Sequence, residues 1–331
     1  MSKTRVAVIY GGRSGEHEIS LRSAEAVIAA MSPEKYQVAK YFIDLEGRWT
    51  PGPILPAPGA HPDIDVVFPV LHGTFGEDGT IQGLLELADL PYVGANVLAS
   101  SVSMDKDIMK RVCRDQGLPV VDYLVVARDD IDAAAIASRL PFPLFVKPAN
   151  LGSSVGISKA RNRKELGPAI AEAAKFDRKI VIEQGVGGKK QKAREIECSV
   201  LGNDKPEASV AGEIVPIKEF YDYDAKYLDE GSQLIIPAKL TKAEMKRVQQ
   251  LAIAAFQSVD CSGLARVDFL MDPKTRKIYL NEINTMPGFT AISMYPKLWA
   301  ASGLQYPYLI EKLIKLGLER YEEKKRNRYT R

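Results

Sequence analysis

Arg266 and Asp268 lie two residues apart in the apolar segment 264–271, and Glu282 and Asn284 lie two apart at the end of the segment beginning at 277. Between them stands Asp272-Pro273-Lys274-Thr275, a turn sequence, so the two segments read as a β-hairpin. Strand alternation puts each pair on one face of its strand. If the faces coincide, two carboxylates, an amide oxygen and a guanidinium converge. Carboxylates with an amide oxygen are a hard-oxygen set for Mg²⁺, which commonly completes its octahedron with phosphates and water. The alternative is a solvent-facing hairpin edge carrying ordinary charges. The turn that follows, Thr285-Met286-Pro287-Gly288-Phe289-Thr290, could bring the Gly288 N–H to a ligand.

A second feature is Lys147 followed by Asn150-Leu151-Gly152-Ser153-Ser154-Val155-Gly156. Small residues on such a loop let backbone N–H groups approach phosphate oxygens. It is not a Walker A loop, and the opening loop Gly11-Gly12-Arg13-Ser14-Gly15 does not fit G-x-G-x-x-G. Each loop also suits a simple tight turn. Lys106 and Lys147 are candidate phosphate partners, with a solvated charge as the alternative. A third feature is the charged and aromatic connection at 218–237, containing Tyr221, Tyr223 and Tyr227. Its length and composition favour a lid that closes over a site; a surface hairpin is the alternative.

These residues need a scaffold. The first third alternates strands (6–10, 37–43, 66–71) with helical patterns, one starting at a Ser20 cap and one over 81–87. The connection 51–62 holds five Pro and reads as irregular. Short βα turns of this kind build an open parallel sheet with ligands at the carboxyl ends of its strands. A second unit begins near 95: a helix capped by Ser103 and stopped by Gly117 and Pro119, strands at 120–126, 144–147 and 179–183, and helices at 131–140 and 163–176. The third reads as antiparallel strands (195–201, 208–217), a helix opened by a Thr241–Glu244 capping box, the hairpin, and a helix over 308–321.

Across 331 residues, 45 Lys and Arg against 42 Asp and Glu give a net charge of +3, too balanced to argue for nucleic acid or an anionic membrane. No apolar run reaches the ~18 residues of a membrane span. Three scattered Cys give neither a disulfide framework nor a close-spaced zinc motif, which fits a reducing cytoplasm.

The segment 11–20 (Gly11-Gly12-Arg13-Ser14-Gly15-Glu16-His17-Glu18-Ile19-Ser20), His72-Gly73 with Gly76-Glu77-Asp78-Gly79, and Ser103-Met104-Asp105-Lys106 share a further property with Lys147-Pro148 and the Gly152–Gly156 loop. So do Phe220-Tyr221-Asp222-Tyr223 with Lys226-Tyr227, Arg266-Val267-Asp268, and Asn281-Glu282-Ile283-Asn284-Thr285 with Pro287-Gly288-Phe289-Thr290. Together and in this order they resemble the D-alanine-D-alanine ligases of the ATP-grasp superfamily, over nearly the whole chain. The resemblance implies an α/β fold, α+β in its C-terminal part, with three domains. These are 1–95 (the first substrate site), 96–184 (the central ATP-grasp subdomain) and 185–331 (the metal site and lid).

The chemistry implied is phosphorylation of the first D-alanine's carboxylate by ATP. The second D-alanine's amine then attacks the acyl phosphate, releasing ADP and phosphate, for peptidoglycan precursors. By the same resemblance Asp268, Glu282 and Asn284 are Mg²⁺ ligands, with two ions expected, Mn²⁺ as a substitute and K⁺ as a further candidate. Lys106, Lys147 and Lys226 offset phosphate charge, and the backbone around Ser153 and Ser154 holds the transferring group. Glu183 meets adenine and Glu195 the ribose, and Val186 is a further ATP-binding residue. Glu16 binds the first ammonium. Arg266 and the Gly288 N–H stabilise the oxyanion, and Ser293 and Met294 hold the second carboxylate. Tyr227 with Ser153 and Glu16 ties the lid to the substrate site, and His72 lies near it. Tyr227 resembles amide-forming ligases; D-lactate ester-forming relatives depart in the lid. The stretch 51–62 is short for the branch that 292–296 suggests, and 183–195 is extended. A cytoplasmic homodimer without nucleic-acid or membrane partners is implied. The rival readings are another carboxylate-amine ligase, a nicotinamide dehydrogenase, and a nucleotide-binding regulator without turnover.

Overall fold

The computed structural model describes residues 2–188, 191–215, 233–290 and 292–329. Its first unit is built on β1 (Thr4–Gly11), α1 (His17–Ala30), β2 (Tyr36–Ile43), β3 (Trp49–Thr50) and β4 (Val66–Val70), with strand order β3-β2-β1-β4. β1 runs parallel to both β2 and β4; β3 is an antiparallel edge. Both faces of β1 are buried: Val6 and Val8 enter one core, Ala7 and Ile9 the other. That is the pattern of a parallel strand covered on both sides. α2 (Thr80–Leu87) closes the second face with Ile81 and Leu85.

Ser20 does not cap α1. The helix starts at His17, and Ser20 sits inside it, buried, accepting the Gly11 N–H at 2.8 Å and donating to the Val70 carbonyl. It pins the ends of β1 and β4 beside the opening loop. Nor does Ser103 cap the next helix. There are two helices, α3 (Val97–Met104) and α4 (Lys106–Asp115), and Ser103 lies within the first. Asp105 breaks the pattern: its carboxylate accepts the N–H groups of Asp107 and Ile108, both at 3.1 Å. A short acidic side chain competes well for backbone donors in this way.

The second unit is an antiparallel sheet of order β5-β8-β6-β7. Its elements are β5 (Tyr123–Ala127), α5 (Ala133–Arg139), β6 (Leu144–Pro148), β7 (Ser158–Ala160), α6 (Arg163–Ala173) and β8 (Lys179–Gln184). Ile136, Leu166 and Ile170 from the helices pack on Leu144, Val146, Ile180 and Ile182. The third unit holds β9 (Arg194–Gly202), β10 (Glu207–Val215), β11 (Gln233–Ile235), α7 (Lys242–Ser258), β12 (Gly263–Met271) and β13 (Ile278–Asn284). Its sheet, order β11-β10-β9-β12-β13, is antiparallel throughout. The Thr241–Glu244 capping box forms, with reciprocal bonds of 3.2 and 2.8 Å.

Two helices follow. α8 (Met294–Ala301) has no counterpart in the sequence reading; Pro296 in its first turn masks it, although Pro costs little there. α9 (Tyr306–Lys324) returns to the first unit, where Leu309, Ile310, Leu313 and Ile314 share a core with Val6, Val8, Val27 and Phe68. Gly317 makes the approach possible, since a Cβ there would stand 2.5 Å from the Tyr92 carbonyl oxygen.

Candidate active site

The hairpin forms in the register that joins its polar faces. Arg266 pairs with Asn284 and Asp268 with Glu282, and on the other side Asp268 faces Glu197 of β9. The opposite face of β9 and β12 (Ile196, Cys198, Val267, Phe269) is core. Strand alternation thus leaves a polar row of Glu197, Arg266, Asp268, Glu282 and Asn284 on one face. The pairing shifts between Asp268 and Phe269. Such irregularities re-aim side chains beside functional sites, and here Asn281 at the shift accepts from Lys147 Nζ at 3.2 Å.

Arg266 grips Asp268 through both oxygens, Nε at 2.7 Å and a terminal nitrogen at 2.6 Å, and its Nε lies 3.0 Å from Glu197. Burial works against the guanidinium's charge, but Asp268 and Glu197 outweigh it and raise its pKa. Asn284 Nδ2 donates to Asp268 at 3.0 Å. Among the described residues no three His, Cys, Asp or Glu side chains are grouped for a metal ion. The donor set is instead two register-paired carboxylates and an amide, all hard-oxygen donors of the kind Mg²⁺ takes. The Asn284 amide oxygen would serve such an ion once the side chain is flipped from its present orientation, in which Nδ2 donates to Asp268.

Two cavities meet at this row. The larger, about 310 Å³, is walled by Asp268 and Glu282 together with Lys147, Ser154, Glu195 and Val186. Phe145, Ile157 and Leu270 give it apolar sides. The smaller, about 70 Å³, is walled by Arg266, Asn284, Glu16, Ser153, Gly288 and His72, with Ser293 and Met294 at its edge. Glu197 borders both.

Glu183 also borders the larger cavity, but its two oxygens are engaged by lysines: Lys147 at 2.7 Å and Lys110 at 3.0 Å. Burial would raise its pKa; Lys110 and Lys147 reverse this and push it down to about 2. Lys110, fully buried, is a residue the sequence reading missed. The available signal was its place one turn after Lys106 on the same helix face. Lys106 Nζ donates to the Leu151 carbonyl at 2.6 Å, and Asp177 accepts from the Asn150 N–H at 2.8 Å, so the glycine loop is held at its base. Ser153 and Ser154 have φ of +50° and +59°. Left-handed backbone at non-glycine residues costs ~1–2 kcal/mol each and concentrates at functional sites. The buried Ser153 hydroxyl has no hydrogen-bond partner among the described residues.

Around the smaller cavity, Glu16 precedes α1 and lies against Gly73; a Cβ at Gly73 would come within 2.7 Å of the Glu16 carboxylate. His72 is buried, donates from Nδ1 to the Met286 carbonyl at 2.9 Å, and meets Ser23 Oγ through Nε2 at 2.9 Å. Ser23 Oγ also accepts the Phe289 N–H. The turn carrying Gly288 is therefore held on one side by Ser23 of α1 and on the other by His72, which itself meets Ser23. Burial opposes a charge on His72, but Glu77, 3.6 Å from Nδ1, and the more distant Glu16 hold its pKa above the usual value. Ser23 and Glu77 were also missed. Ser293 is the N-cap of α8 and accepts the Thr290 N–H at 3.0 Å; helix starts favour anions. Lys226 and Tyr227, with most of the predicted lid, lie outside the described residues. Ile214 and Leu234, on either side of that segment, line the smaller cavity.

Comparison with known proteins matches two family models, described as D-ala D-ala ligase C-terminus over residues 112–315 and D-ala D-ala ligase N-terminus over 5–61 and 54–95. The N-terminal match divides at the Pro-rich connection. A D-alanine--D-alanine ligase of Solibacter usitatus is 56% identical over 99% of this chain and 100% of its own length. One from a Thermoanaerobacter species is 51% identical over 98% and 99%. Among solved structures, the D-alanine-D-alanine ligase of Coxiella burnetii superposes with a TM-score of 0.87 at 39% identity, covering 98% of this chain and 97% of that one. The VanG D-Ala:D-Ser ligase of Enterococcus faecalis gives 0.86 at 33%, covering 96% and 100%.

Proposed function

The chain belongs to the D-alanine-D-alanine ligase family, with its ATP-grasp fold, and from that premise we propose how its own residues carry out the ATP-dependent joining of two D-alanine molecules. One observation carries the reading: two cavities, one rich in lysine and carboxylate and one walled by Glu16, Arg266 and Gly288, abut along a single row of the hairpin. ATP occupies the larger. Phe145, Ile157, Val186 and Leu270 take the base, Glu195 the ribose, and Lys147, Lys106 and Lys226 the phosphates. Glu183 acts by fixing Lys147, because its carboxylate is spoken for by the two lysines. Asp268, Glu282 and Asn284 would hold Mg²⁺, whose chemistry is to neutralise the phosphate charge and align the transfer.

The first D-alanine binds in the smaller cavity with its ammonium at Glu16. Its carboxylate attacks the γ-phosphorus, the bond to the β–γ bridging oxygen breaks and ADP leaves, and the Ser153–Ser154 loop N–H groups hold the transferred phosphoryl. An acyl phosphate follows, because a bare carboxylate has oxide as its leaving group and does not react with an amine. The second D-alanine, its carboxylate at Ser293 and Met294 on the start of α8, attacks through its amine. Arg266 and the Gly288 N–H stabilise the tetrahedral oxyanion, and phosphate departs. Preorganised charge of this kind is the largest contribution expected in such sites. Tyr227 closes the lid onto Ser153 and Glu16 and favours an amine as acceptor. We further propose the three-unit division 1–95, 96–184 and 185–331, supported by one sheet in each, and a cytoplasmic homodimer. Among the described residues no helix is long and apolar enough to cross a membrane.

The test is ADP release with ATP and Mg²⁺ against a panel of D-alanine, D-serine and D-lactate. Release that requires D-alanine is expected; turnover that ignores D-alanine and follows another amino acid overturns the assignment. Glu282→Gln is expected to abolish turnover while leaving the unfolding midpoint unchanged.

A further inference from the structure

Asp268 has two claimants. In this structure both of its oxygens are held by Arg266, at 2.7 and 2.6 Å, yet the same carboxylate is a proposed cation ligand. The Arg266 side chain is only 14% exposed, so releasing Asp268 to a cation would leave its guanidinium short of its closest counter-charge, which is unfavourable. Glu197 stands at the place where that charge can be met. It is buried, pairs in register with Asp268 across β9 and β12, and has one oxygen 3.0 Å from Arg266 Nε, whose single hydrogen is now given to Asp268. It also borders both cavities, so it lies between the nucleotide and the substrate sides of the row.

We propose that Glu197 is a positioning residue that takes over Arg266 when Asp268 turns to the divalent cation. Arg266 then keeps its charge and its place facing the smaller cavity, while Asp268 is free to swing. The exchange costs little movement because both carboxylates already flank one Nε–H. Without the Glu197 charge, Arg266 depends on Asp268 as its closest carboxylate, and the cation must compete with that ion pair. This inference rests on the metal reading proposed above.

The experiment titrates Mn²⁺ into the full chain with ADP and follows free Mn²⁺ by electron paramagnetic resonance, for wild type, Glu197→Gln, Glu197→Asp and Glu282→Gln. Glu197→Gln is expected to weaken Mn²⁺ binding about tenfold, since Arg266 keeps a nearby carboxylate in Asp268 and the cation must draw Asp268 away from it. Its unfolding midpoint without metal should stay near wild type. Glu197→Asp keeps the charge on a shorter stem and should weaken binding in the same direction by less, which preserves the test if the glutamine variant does not fold. Unchanged Mn²⁺ affinity in both Glu197 variants, with Glu282→Gln abolishing binding, overturns the role of Glu197 alone. Unchanged affinity in Glu282→Gln overturns the metal reading itself.

Discussion

Lys110→Met tests the buried charge trio most directly. Lys110 and Glu183 are 3.0 Å apart and almost wholly buried, with Lys147 on the other carboxylate oxygen at 2.7 Å. A fall in the Glu183 pKa from 4.5 to about 2, at ~1.4 kcal/mol per pH unit, corresponds to ~3 kcal/mol of folded-state stabilisation. Burial and Lys147 pull Lys110's own pKa down against the pull of Glu183, so part of this is offset. Removing Lys110 leaves Glu183 with Lys147 alone, so the loss falls below the ~3–5 kcal/mol of a wholly uncompensated buried charge. Methionine keeps the volume and isolates the charge. Urea unfolding followed by circular dichroism at pH 7 should therefore show a loss of ~1–3 kcal/mol. The sign with pH is fixed: a carboxylate with a depressed folded pKa stabilises above 4.5 and loses that contribution as pH falls toward about 2. The gap between variant and wild type should narrow over the same window. The KM for ATP should rise as Lys147 loses its anchored partner. A gap below ~0.5 kcal/mol at pH 7, the size of an ordinary surface substitution, or one unchanged at pH 3, refutes the reasoning.

Gly73→Ala should lower kcat/KM for D-alanine by at least about tenfold, with a stability loss of only ~1–2 kcal/mol, since the new Cβ meets the Glu16 carboxylate at 2.7 Å and sits at φ +71°. Initial rates and a melting curve separate the two effects, and an undiminished kcat/KM removes Glu16 from the substrate site. Glu77→Gln should lower the His72 pKa, read by proton NMR of the imidazole. In the wild type, the stabilisation from the raised His72 pKa is full below 6.5 and is lost as pH rises through the folded value, so the variant's deficit should be largest on the acid side.

The hairpin was legible because strand alternation and one turn sequence suffice to bring Arg266, Asp268, Glu282 and Asn284 to one face. The Thr241–Glu244 cap was legible for the same reason: it is local. The misreadings at Ser20 and Ser103 have a common cause. Serine is a good cap by type, yet at Ser20 the better use was to bond Gly11 and Val70 across the sheet, and at Ser103 the neighbouring Asp105 won the backbone donors. Lys110, Ser23, Glu77 and Glu197 were not legible as site residues. Lys110, Ser23 and Glu197 act on partners distant in sequence, which no local pattern identifies even where, as for Lys110, the helix face is legible; Glu77 meets His72 across the short loop between them, whose fold no periodicity fixes. The irregularity that turns Asn281 toward Lys147 is of the same kind.

The return of α9 to the opening strands has a consequence for biosynthesis. The ribosome delivers β1, α1 and β4 first, but the apolar face on Val6, Val8 and Phe68, which Ala24 and Val27 of α1 and the following Met31 cover in part, is completed only when Leu309, Ile310, Leu313 and Ile314 emerge. Domains commonly fold in the order of their synthesis; this one must wait with a wet flank through most of its translation. A stop codon just before Tyr306 should therefore leave part of this core exposed and yield a first unit more prone to aggregate than the full chain.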